Sequence, residues 1–384
     1  MRLTCERADL LSAVTPATYV ATKSTQTAAG AGGIHFKAEG DTLTLSAYDM
    51  EKGIRAILPA TVQEAGCYII DAPQKLAQIL RLIPDGVITL EVERGSVLRL
   101  SSGKSTFELC VKDGKQFSIL PELSGERGFT VPQKVLRRMI AQVNFAVAQN
   151  DHRVVLLGTH FEIRNESMRL VACDGHRLAI RDYFADIENR SMDGTPLSLN
   201  FTVPGKALVE LSKMLGDTDE GVTIILGRKH VIFSIGNVKF FTRLIDGEYI
   251  DYHRFVPAEF RIHAELNTDE LLGALERASL ITEDRAAGQV RSIVCLQFAG
   301  ETLAVSSTSI SGKAYDEILV DKNGNEELLI GFNCRMLLDV VRACNAERVV
   351  LDLNTALTSM VIRPAIKDEK EDFLFLCLPV QMRD

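Results

Sequence analysis

The sequence lacks the features that mark membrane, secreted and strongly basic proteins. No apolar run approaches the roughly 18–20 residues that are needed to span a bilayer. Four charged residues fall within the first nine positions, so we expect no signal peptide. The formal net charge of the 384 residues is -8, which argues against binding nucleic acid through bulk positive charge but leaves room for a local basic surface.

Patterns for metal binding and disulfide formation are missing as well. The eight cysteines include no CxxC pair, and the closest two are ten residues apart, so we expect them to act as small buried hydrophobic side chains. The seven histidines form no HExxH motif and no cluster with cysteine. We therefore expect a cytoplasmic protein in a reducing environment, with no disulfide, no metal and no cofactor.

Motifs for phosphate binding and nucleophilic catalysis are incomplete. The segment Gly103–Thr106 imitates the end of a phosphate-binding loop, but the glycine that must precede it is missing and the flanking residues predict a hairpin. The segment Gly30–Gly33 lacks the third glycine of a dinucleotide-binding fingerprint. Cys173 and His176 flank an Asp-Gly turn, which orients strand side chains poorly for a catalytic dyad. A small-molecule enzyme is therefore unsupported, and no catalytic residue is expected.

A repeat of about one third of the chain is present instead. Lys75, Lys206 and Arg335 each occupy the first turn of an amphipathic helix that follows a short strand, and they are 131 and 129 residues apart. A second helix opens each third, with apolar residues at helical spacing. The six predicted helical segments are 6–15, 72–83, 132–148, 204–215, 267–281 and 333–344.

Boundaries rich in proline, glycine and charge fall where this period predicts them, at 120–128 and 256–259. Alternating, β-branched strands follow the helices in each third. The sequence therefore predicts an α+β fold of three similar domains, each with two helices packed on antiparallel sheet. The predicted domains are 1–124, 125–256 and 257–384.

Charge is distributed unevenly between helices and strands. The six helical segments together carry a formal charge of +4, so the remainder of the chain carries -12. Such small counts could fluctuate by chance. The functional interpretation is a helix-lined surface that faces a polyanion while the sheets face outward.

The most specific pattern is the stretch ACDGHRLA at residues 172–179. It resembles the ATDGHRLA stretch that is typical of the bacterial DNA polymerase sliding clamp family, the beta subunit or processivity factor of DNA polymerase III. The segments 145–148, 151–158, 244–252 and 378–380 also resemble this family, and the resemblance covers the whole chain.

This resemblance implies a non-catalytic protein that forms a ring. Two chains would join head to tail into six domains, and twelve helices would surround double-stranded DNA without reading its sequence. The partners that it implies are the catalytic subunit of DNA polymerase III, the clamp loader, and other polymerases and repair proteins that carry clamp-binding peptides. The alternative is a clamp-like protein that binds partners without encircling DNA.

The resemblance also assigns residues to three surfaces. The DNA-facing candidates are Lys23, Gln74, Lys75, Arg81, Lys134, Arg137, Arg138, Asn150, Lys206, Lys213, Arg335 and Arg342. The candidates for the partner-peptide cleft are Leu156, Cys173, Gly175, His176, Arg177, Leu178, Arg254, Phe255, Leu357, Ser359, Pro379, Val380, Met382 and Arg383. The candidates for the dimer interface are Phe107 and Leu109 of one chain against Leu280 and Ile281 of the other.

Overall fold

The computed structural model describes residues 1–21, 32–93, 96–118, 120–121, 124–282, 293–310, 312–324 and 326–382. Two predicted site residues, Lys23 and Arg383, lie outside these ranges, as do residues 30 and 31 of the segment 30–33. The helices are α1 (Arg7–Val20), α2 (Pro73–Leu82), α3 (Gln133–Val143), α4 (Gly205–Met214), α5 (Thr268–Thr282) and α6 (Cys334–Ala343).

The helix ends agree with the prediction to within about one residue, except at two C-terminal ends. Helix α1 continues to Val20, although Pro16 lies inside it, because Pro16, Ala17 and Val20 are all buried. Helix α3 stops at Val143 and is followed by a 3-10 turn at Asn144–Ala146, so the predicted continuation to residue 148 is wrong.

The strands fall into three groups in chain order. The first group is β1 (Arg2–Glu6), β2 (Ile34–Glu39), β3 (Thr42–Tyr48), β4 (Lys52–Pro59), β5 (Thr61–Glu64), β6 (Gly66–Ile70), β7 (Val87–Glu93), β8 (Val97–Ser102) and β9 (Ser105–Asp113). The second is β10 (Arg127–Pro132), β11 (Gly158–Arg164), β12 (Ser167–Cys173), β13 (Arg177–Phe184), β14 (Glu188–Asn189), β15 (Ser198–Pro204), β16 (Gly221–Leu226), β17 (His230–Ile235) and β18 (Val238–Arg243). The third is β19 (Ile262–Asn267), β20 (Ile293–Ala299), β21 (Thr302–Ser309), β22 (Gly312–Leu319), β23 (Asp321–Lys322), β24 (Leu328–Asn333), β25 (Arg348–Leu353), β26 (Met360–Pro364) and β27 (Glu371–Cys377).

By its internal contacts the chain divides into two compact units. The first unit comprises residues 1–137, 188–197 and 206–244, and the second comprises 138–187, 198–205 and 245–384. Each unit therefore holds part of the predicted middle domain. The predicted boundaries near residues 124 and 256 stay predictions.

The first unit contains one antiparallel sheet of fourteen described strands. Its order is β14-β10-β16-β17-β18-β4-β3-β2-β6-β9-β8-β7-β1-β5. Helix α1 packs on α2 and on strands β3 and β4. Leu76 and Leu80 of α2 are buried at a spacing of four residues, whereas Lys75 and Arg81 stay exposed, as the amphipathic pattern predicted.

The second unit contains an antiparallel sheet of nine described strands, in the order β15-β11-β12-β13-β27-β26-β25-β19-β23, and a four-stranded sheet, β22-β21-β20-β24. Strands β13 and β27 pair from Arg177 with Cys377 to Tyr183 with Glu371. This register brings the start of β13 beside the end of β27, so the turn before Arg177 lies next to the chain that follows Cys377.

One sequence-based exclusion agrees with the structure. The segment Gly103–Thr106 forms the turn of the β8–β9 hairpin, in which Gly103 has a φ of 55°, so it is not a phosphate-binding loop. Within the described part of the chain, no helix has the length and apolar character needed to traverse a membrane.

Candidate functional site

The turn between β12 and β13 is built by its own side chains. Cys173 and Leu178 form the last pair of the two strands. Gly175 adopts a φ of 84°, which favours glycine, and Asp174 Oδ1 accepts hydrogen bonds from the backbone N–H groups of His176 at 2.9 Å and Arg177 at 2.8 Å. The turn therefore presents Gly175 and His176 to solvent.

Arg177 anchors this turn to the neighbouring helix. Its guanidinium donates to Asp174 Oδ2 at 2.9 Å, to Asp339 Oδ2 of α6 at 2.9 Å and to the carbonyl oxygen of Phe145 at 2.8 Å. It also lies 5.3 Å from the centre of the Phe145 ring. The prediction counted Arg177 among the cleft residues, but these contacts occupy the buried guanidinium, so we assign it a positioning role.

A buried apolar cluster supports the predicted cleft. Leu156, Cys173 and Leu178 pack together with Tyr249 and Tyr252. Burial raises the pKa of the Cys173 thiol, so this side chain stays neutral and acts as part of the apolar wall. The three predicted residues thus come together, but they lie beneath the surface rather than on it.

Exposed apolar side chains lie on the loops of the second unit. Leu357, in the turn between β25 and β26, is 75% exposed, and Phe255 is 48% exposed. Ser359, which was also predicted for the cleft, is buried. A partner could therefore contact Leu357 and Phe255 directly, whereas Ser359 lies beneath the surface.

The segment after β27 is fixed at three points. The Leu378 N–H donates to the carbonyl oxygen of His176 at 2.8 Å, and the Val380 N–H donates to that of Gly331 at 2.8 Å. Met382 Sδ lies 3.5 Å from Cys295 Sγ. A Cβ at residue 331 would lie 3.0 Å from Met382 Cγ, so Met382 packs closely over this glycine. Pro379 and Val380 stay half-buried beside the turn.

A basic side chain, Arg153, lies beside the turn. Arg153 Nη2 would lie 3.6 Å from a Cβ at Gly175, and Arg153 also donates to Asp151 Oδ2 at 3.1 Å. The hydrogen bonds from Arg153 lower the pKa of the Asp151 carboxyl to about 2, so this ion pair persists at neutral pH. Arg254 is highly exposed and contacts Asp251 at 2.7 Å. Sequence reasoning missed Arg153, although it lies in the recognised stretch 151–158.

The DNA-facing candidates lie mostly on the solvent side of the helices. Every described member of the set is exposed or half-exposed. Four cations are held in ion pairs with carboxylates: Lys134 with Asp219, Arg138 with Glu371, Lys213 with Glu210 and Arg342 with Glu276. Among the described residues no carboxylate partner is seen for Lys75, Arg81, Arg137, Lys206 and Arg335.

The predicted dimer residues lie on strand β9 and at the end of helix α5, which precedes the sheet that contains β22. Residues 105–110 of β9 pair with β8 on one side, whereas only residues 111–113 pair with β6 on the other. Strand β22 is an edge of the four-stranded sheet. Leu280 is 75% exposed, and Phe107 and Ile281 are half-buried. Leu109 is only 6% exposed because its side chain alternates into its own core, so the structure does not place it on a free surface.

Comparison with family models identifies the chain. The model of the DNA polymerase III beta subunit N-terminal domain matches residues 1–121, that of the central domain matches 130–251, and that of the C-terminal domain matches 253–379. The chain belongs to the DNA polymerase III beta subunit family. The three-domain fold predicted from the repeat is thereby confirmed for this beta subunit.

Named relatives support the same family. This beta subunit is 29% identical over 359 residues to the beta sliding clamp of Bacillus subtilis, with 91% of each chain covered. It is similar to the crystal structure of the B. subtilis DNA polymerase sliding clamp at a TM-score of 0.88, with 28% identity and full coverage of both chains. It is also similar to a Pseudomonas aeruginosa sliding clamp bound to griselimycin, at a TM-score of 0.86, 27% identity and full coverage of both chains.

Proposed function

We propose that this beta subunit is a DNA sliding clamp that encircles duplex DNA and confers processivity on a replicative polymerase. The observation that carries the proposal is the match of all three domain models along consecutive parts of the chain, together with curated relatives named beta sliding clamp. The work of such a subunit is tethering, so we assign it no catalytic group. We place it in the bacterial cytoplasm, with domains at 1–124, 125–256 and 257–384.

The basic helical surface suits loose contact with DNA. Lys75, Arg137 and Arg335 are exposed and lack carboxylate partners in the described chain, so their charges are available to phosphates. Contacts with phosphates carry no sequence information, and each of them is weakened by salt. A clamp with such a lining holds DNA by enclosing it, which explains how a protein of net charge -8 can stay associated with DNA.

Ring closure would join the two strand edges. The free edge of β9 in one chain would pair with the β22 edge of its partner, while Leu280 packs against Phe107. The exposure of Leu280 and the unpaired ladder positions 105–110 support this arrangement. A stable interface buries about 1,200–2,000 Å² in total, so further residues around these edges must contribute. Leu109 would contribute to the interface indirectly, because its buried side chain holds β9 against the core of its own chain.

The cleft near the β12–β13 turn would receive peptides from partners. The exposed Leu357 and Phe255 offer apolar contacts, and Arg153, His176 and Arg254 offer a basic rim. A short peptide with large apolar residues and an acidic or carboxylate group matches this chemistry. The partners that we propose are the polymerase catalytic subunit, the clamp loader, and other polymerases and repair proteins.

Retention on circular DNA tests encirclement. Labelled protein would be loaded onto a nicked circular plasmid by a clamp loader, and the plasmid would then be cut once with a restriction enzyme. We expect stable retention before cutting and loss within minutes afterwards, because a ring slides off a free end. Equal retention on circular and linear DNA would favour the alternative, a clamp-like protein that binds partners without encircling DNA.

A further inference from the structure

A cavity of about 420 Å³ lies in the second unit, away from the β12–β13 turn. Its walls come from helix α3, strands β13 and β27, the α6–β25 connection and the loop between β26 and β27. This volume falls within the range of about 300–1,000 Å³ that is usual for small-ligand sites. The proposed clamp function uses one of its residues, Arg138, and leaves the cavity itself without a role.

Two arginines share one carboxylate on the wall of this cavity. Glu371 Oε1 accepts a hydrogen bond from Arg138 Nη2, and Glu371 Oε2 accepts one from Arg181 Nη2. The Arg181 side chain is only 4% exposed. Of the two guanidinium groups on this carboxylate, that of Arg181 is nearly buried, and Asp372, Asp182 and Asp368 also act on its charge.

Each of the two arginines has a side-chain donor that is not used in a hydrogen bond to a described residue. The Nε atoms of Arg138 and Arg181 are buried and have no acceptor among the described residues. A buried donor without an acceptor is unfavourable, so Glu371 leaves part of the hydrogen-bonding demand of this cluster unmet. Burial, and then repulsion from Arg138, lowers the pKa of Arg181 to about 10, so the group remains charged at neutral pH.

Further cations lie on the same walls. Lys367 is exposed at the cavity, and Arg348 lines it while its Nε donates to Glu265 at 2.6 Å. Of the carboxylates on the walls, Asp368 Oδ1 is engaged by the backbone N–H groups of Lys370 and Glu371. Glu347 is the remaining acidic lining residue.

We propose that this cavity binds a small phosphate-class oxyanion, with Arg138, Arg181 and Lys367 as its cationic partners. Arginine forks and a lysine ammonium match phosphate oxygens in geometry and charge. The occupant that we assign is a free ion or a small phosphate ester rather than a DNA backbone, because the Arg181 guanidinium is only 4% exposed and offers little surface to a duplex.

The test is isothermal calorimetry of the full-length protein with inorganic phosphate, against chloride at equal ionic strength. We expect saturable binding. Lys367→Gln should weaken it about fivefold or more, whereas Lys370→Gln, an exposed lysine of the same loop that does not line the cavity, should leave it unchanged. Glu371→Gln should strengthen binding, because it removes the carboxylate that competes for both arginines.

Several outcomes would overturn the proposal. One is the absence of saturable binding to the wild type, and another is an equal effect of the two lysine substitutions. If Glu371→Gln folds but binds phosphate more weakly, the arginine–glutamate cluster is a structural element only. A duplex oligonucleotide that displaces phosphate from the wild type would identify the occupant as a DNA phosphate, contrary to the assignment.

Discussion

The ring of Phe241 fills the space beside Gly53. The two residues are paired across strands β4 and β18, and a Cβ at Gly53 would lie 2.1 Å from Phe241 Cζ. Phe241 is fully buried and packs with Tyr48 and Ile232. The glycine is therefore required by a close approach of a neighbouring side chain, since its own φ is not in the left-handed region.

Replacing this glycine tests the packing directly. Gly53→Ala should lower the free energy of unfolding by about 1–3 kcal/mol, because the new methyl group forces the Phe241 ring out of its position. Chemical denaturation measures the change. Gly273→Ala is the control: its Cβ would meet only the flexible guanidinium of Arg277, and a mid-helix alanine should stabilise α5 by about 0.5–1 kcal/mol. A Gly53→Ala protein as stable as wild type would contradict the assigned packing.

Ring closure can be tested at the exposed end of α5. Leu280→Ala combined with Ile281→Ala should yield folded monomers, because it removes apolar contacts from the proposed interface while Leu280 contributes little to its own core. Analytical ultracentrifugation at low micromolar concentration measures the mass. Leu82→Ala, which truncates a similarly exposed leucine of α2, should remain dimeric. A dimeric double variant would show that the interface lies elsewhere.

Thiol reactivity provides an independent test of the same interface. Cys110 is exposed on β9, whereas burial raises the pKa of Cys5 and of Cys377 to about 12. At pH 8, iodoacetamide should therefore modify Cys110 first and leave Cys5 and Cys377 almost unreacted. Peptide mass spectrometry follows each site over time. If β9 forms the dimer edge, Cys110 should react more slowly in the wild-type dimer than in the Leu280/Ile281 variant; equal rates would argue against a β9 interface.

The helical cations without a described carboxylate partner should govern the salt dependence of the contact with DNA. The logarithm of the association constant for DNA falls linearly with the logarithm of the salt concentration. Lys75→Gln with Arg137→Gln should make this slope shallower by about 1–2, because each phosphate bound by a cation accounts for roughly 0.9 of it. Equilibrium binding to a short linear duplex, on which a ring is not trapped, gives the slope across a salt titration. Lys229→Gln with Lys239→Gln removes the same charge from exposed positions on a strand and a turn, so it should leave the slope unchanged. Equal effects of both pairs would refute a specific role for the helices.

The exposed cleft residues can be truncated without opening the core. Phe255→Ala with Leu357→Ala should lower the binding affinity for a polymerase peptide that carries Leu and Phe about tenfold, which corresponds to about 1.4 kcal/mol of binding free energy. Calorimetry measures the affinity, and circular dichroism confirms the fold. Met192→Ala, at another highly exposed apolar residue, should have no effect. Unchanged affinity in the double variant would mean that the peptide binds elsewhere.

Local patterns predicted the elements of the fold well. The spacing of Leu76 and Leu80 placed the buried face of α2, and the turn at Asp174 and Gly175 followed from residue types whose side-chain and backbone preferences are local. The third-of-chain repeat predicted the three-domain fold because each domain reuses the same order of helix and strands.

Side-chain direction was less predictable because it depends on distant partners. Arg177 faces α6, and its acceptors Asp339 and Phe145 lie far from it in sequence, so no local pattern could indicate that its guanidinium is occupied. Leu109 faces its own core because of the register of β9 with β8. The shared carboxylate of Arg138 and Arg181 likewise joins residues from different parts of the chain.

The pairing of β13 with β27 sets the order in which the polypeptide can complete its fold during synthesis. Arg177 leaves the ribosome about 200 residues before its ladder partner Cys377. At about 5–20 residues per second, translation leaves the β13 edge without its native neighbour for roughly 10–40 s. An open strand edge invites pairing with other chains, so the nascent protein is most exposed to misassembly in this interval. The same strand pairing that later positions the proposed peptide cleft therefore makes slow translation of the last third a hazard for this chain.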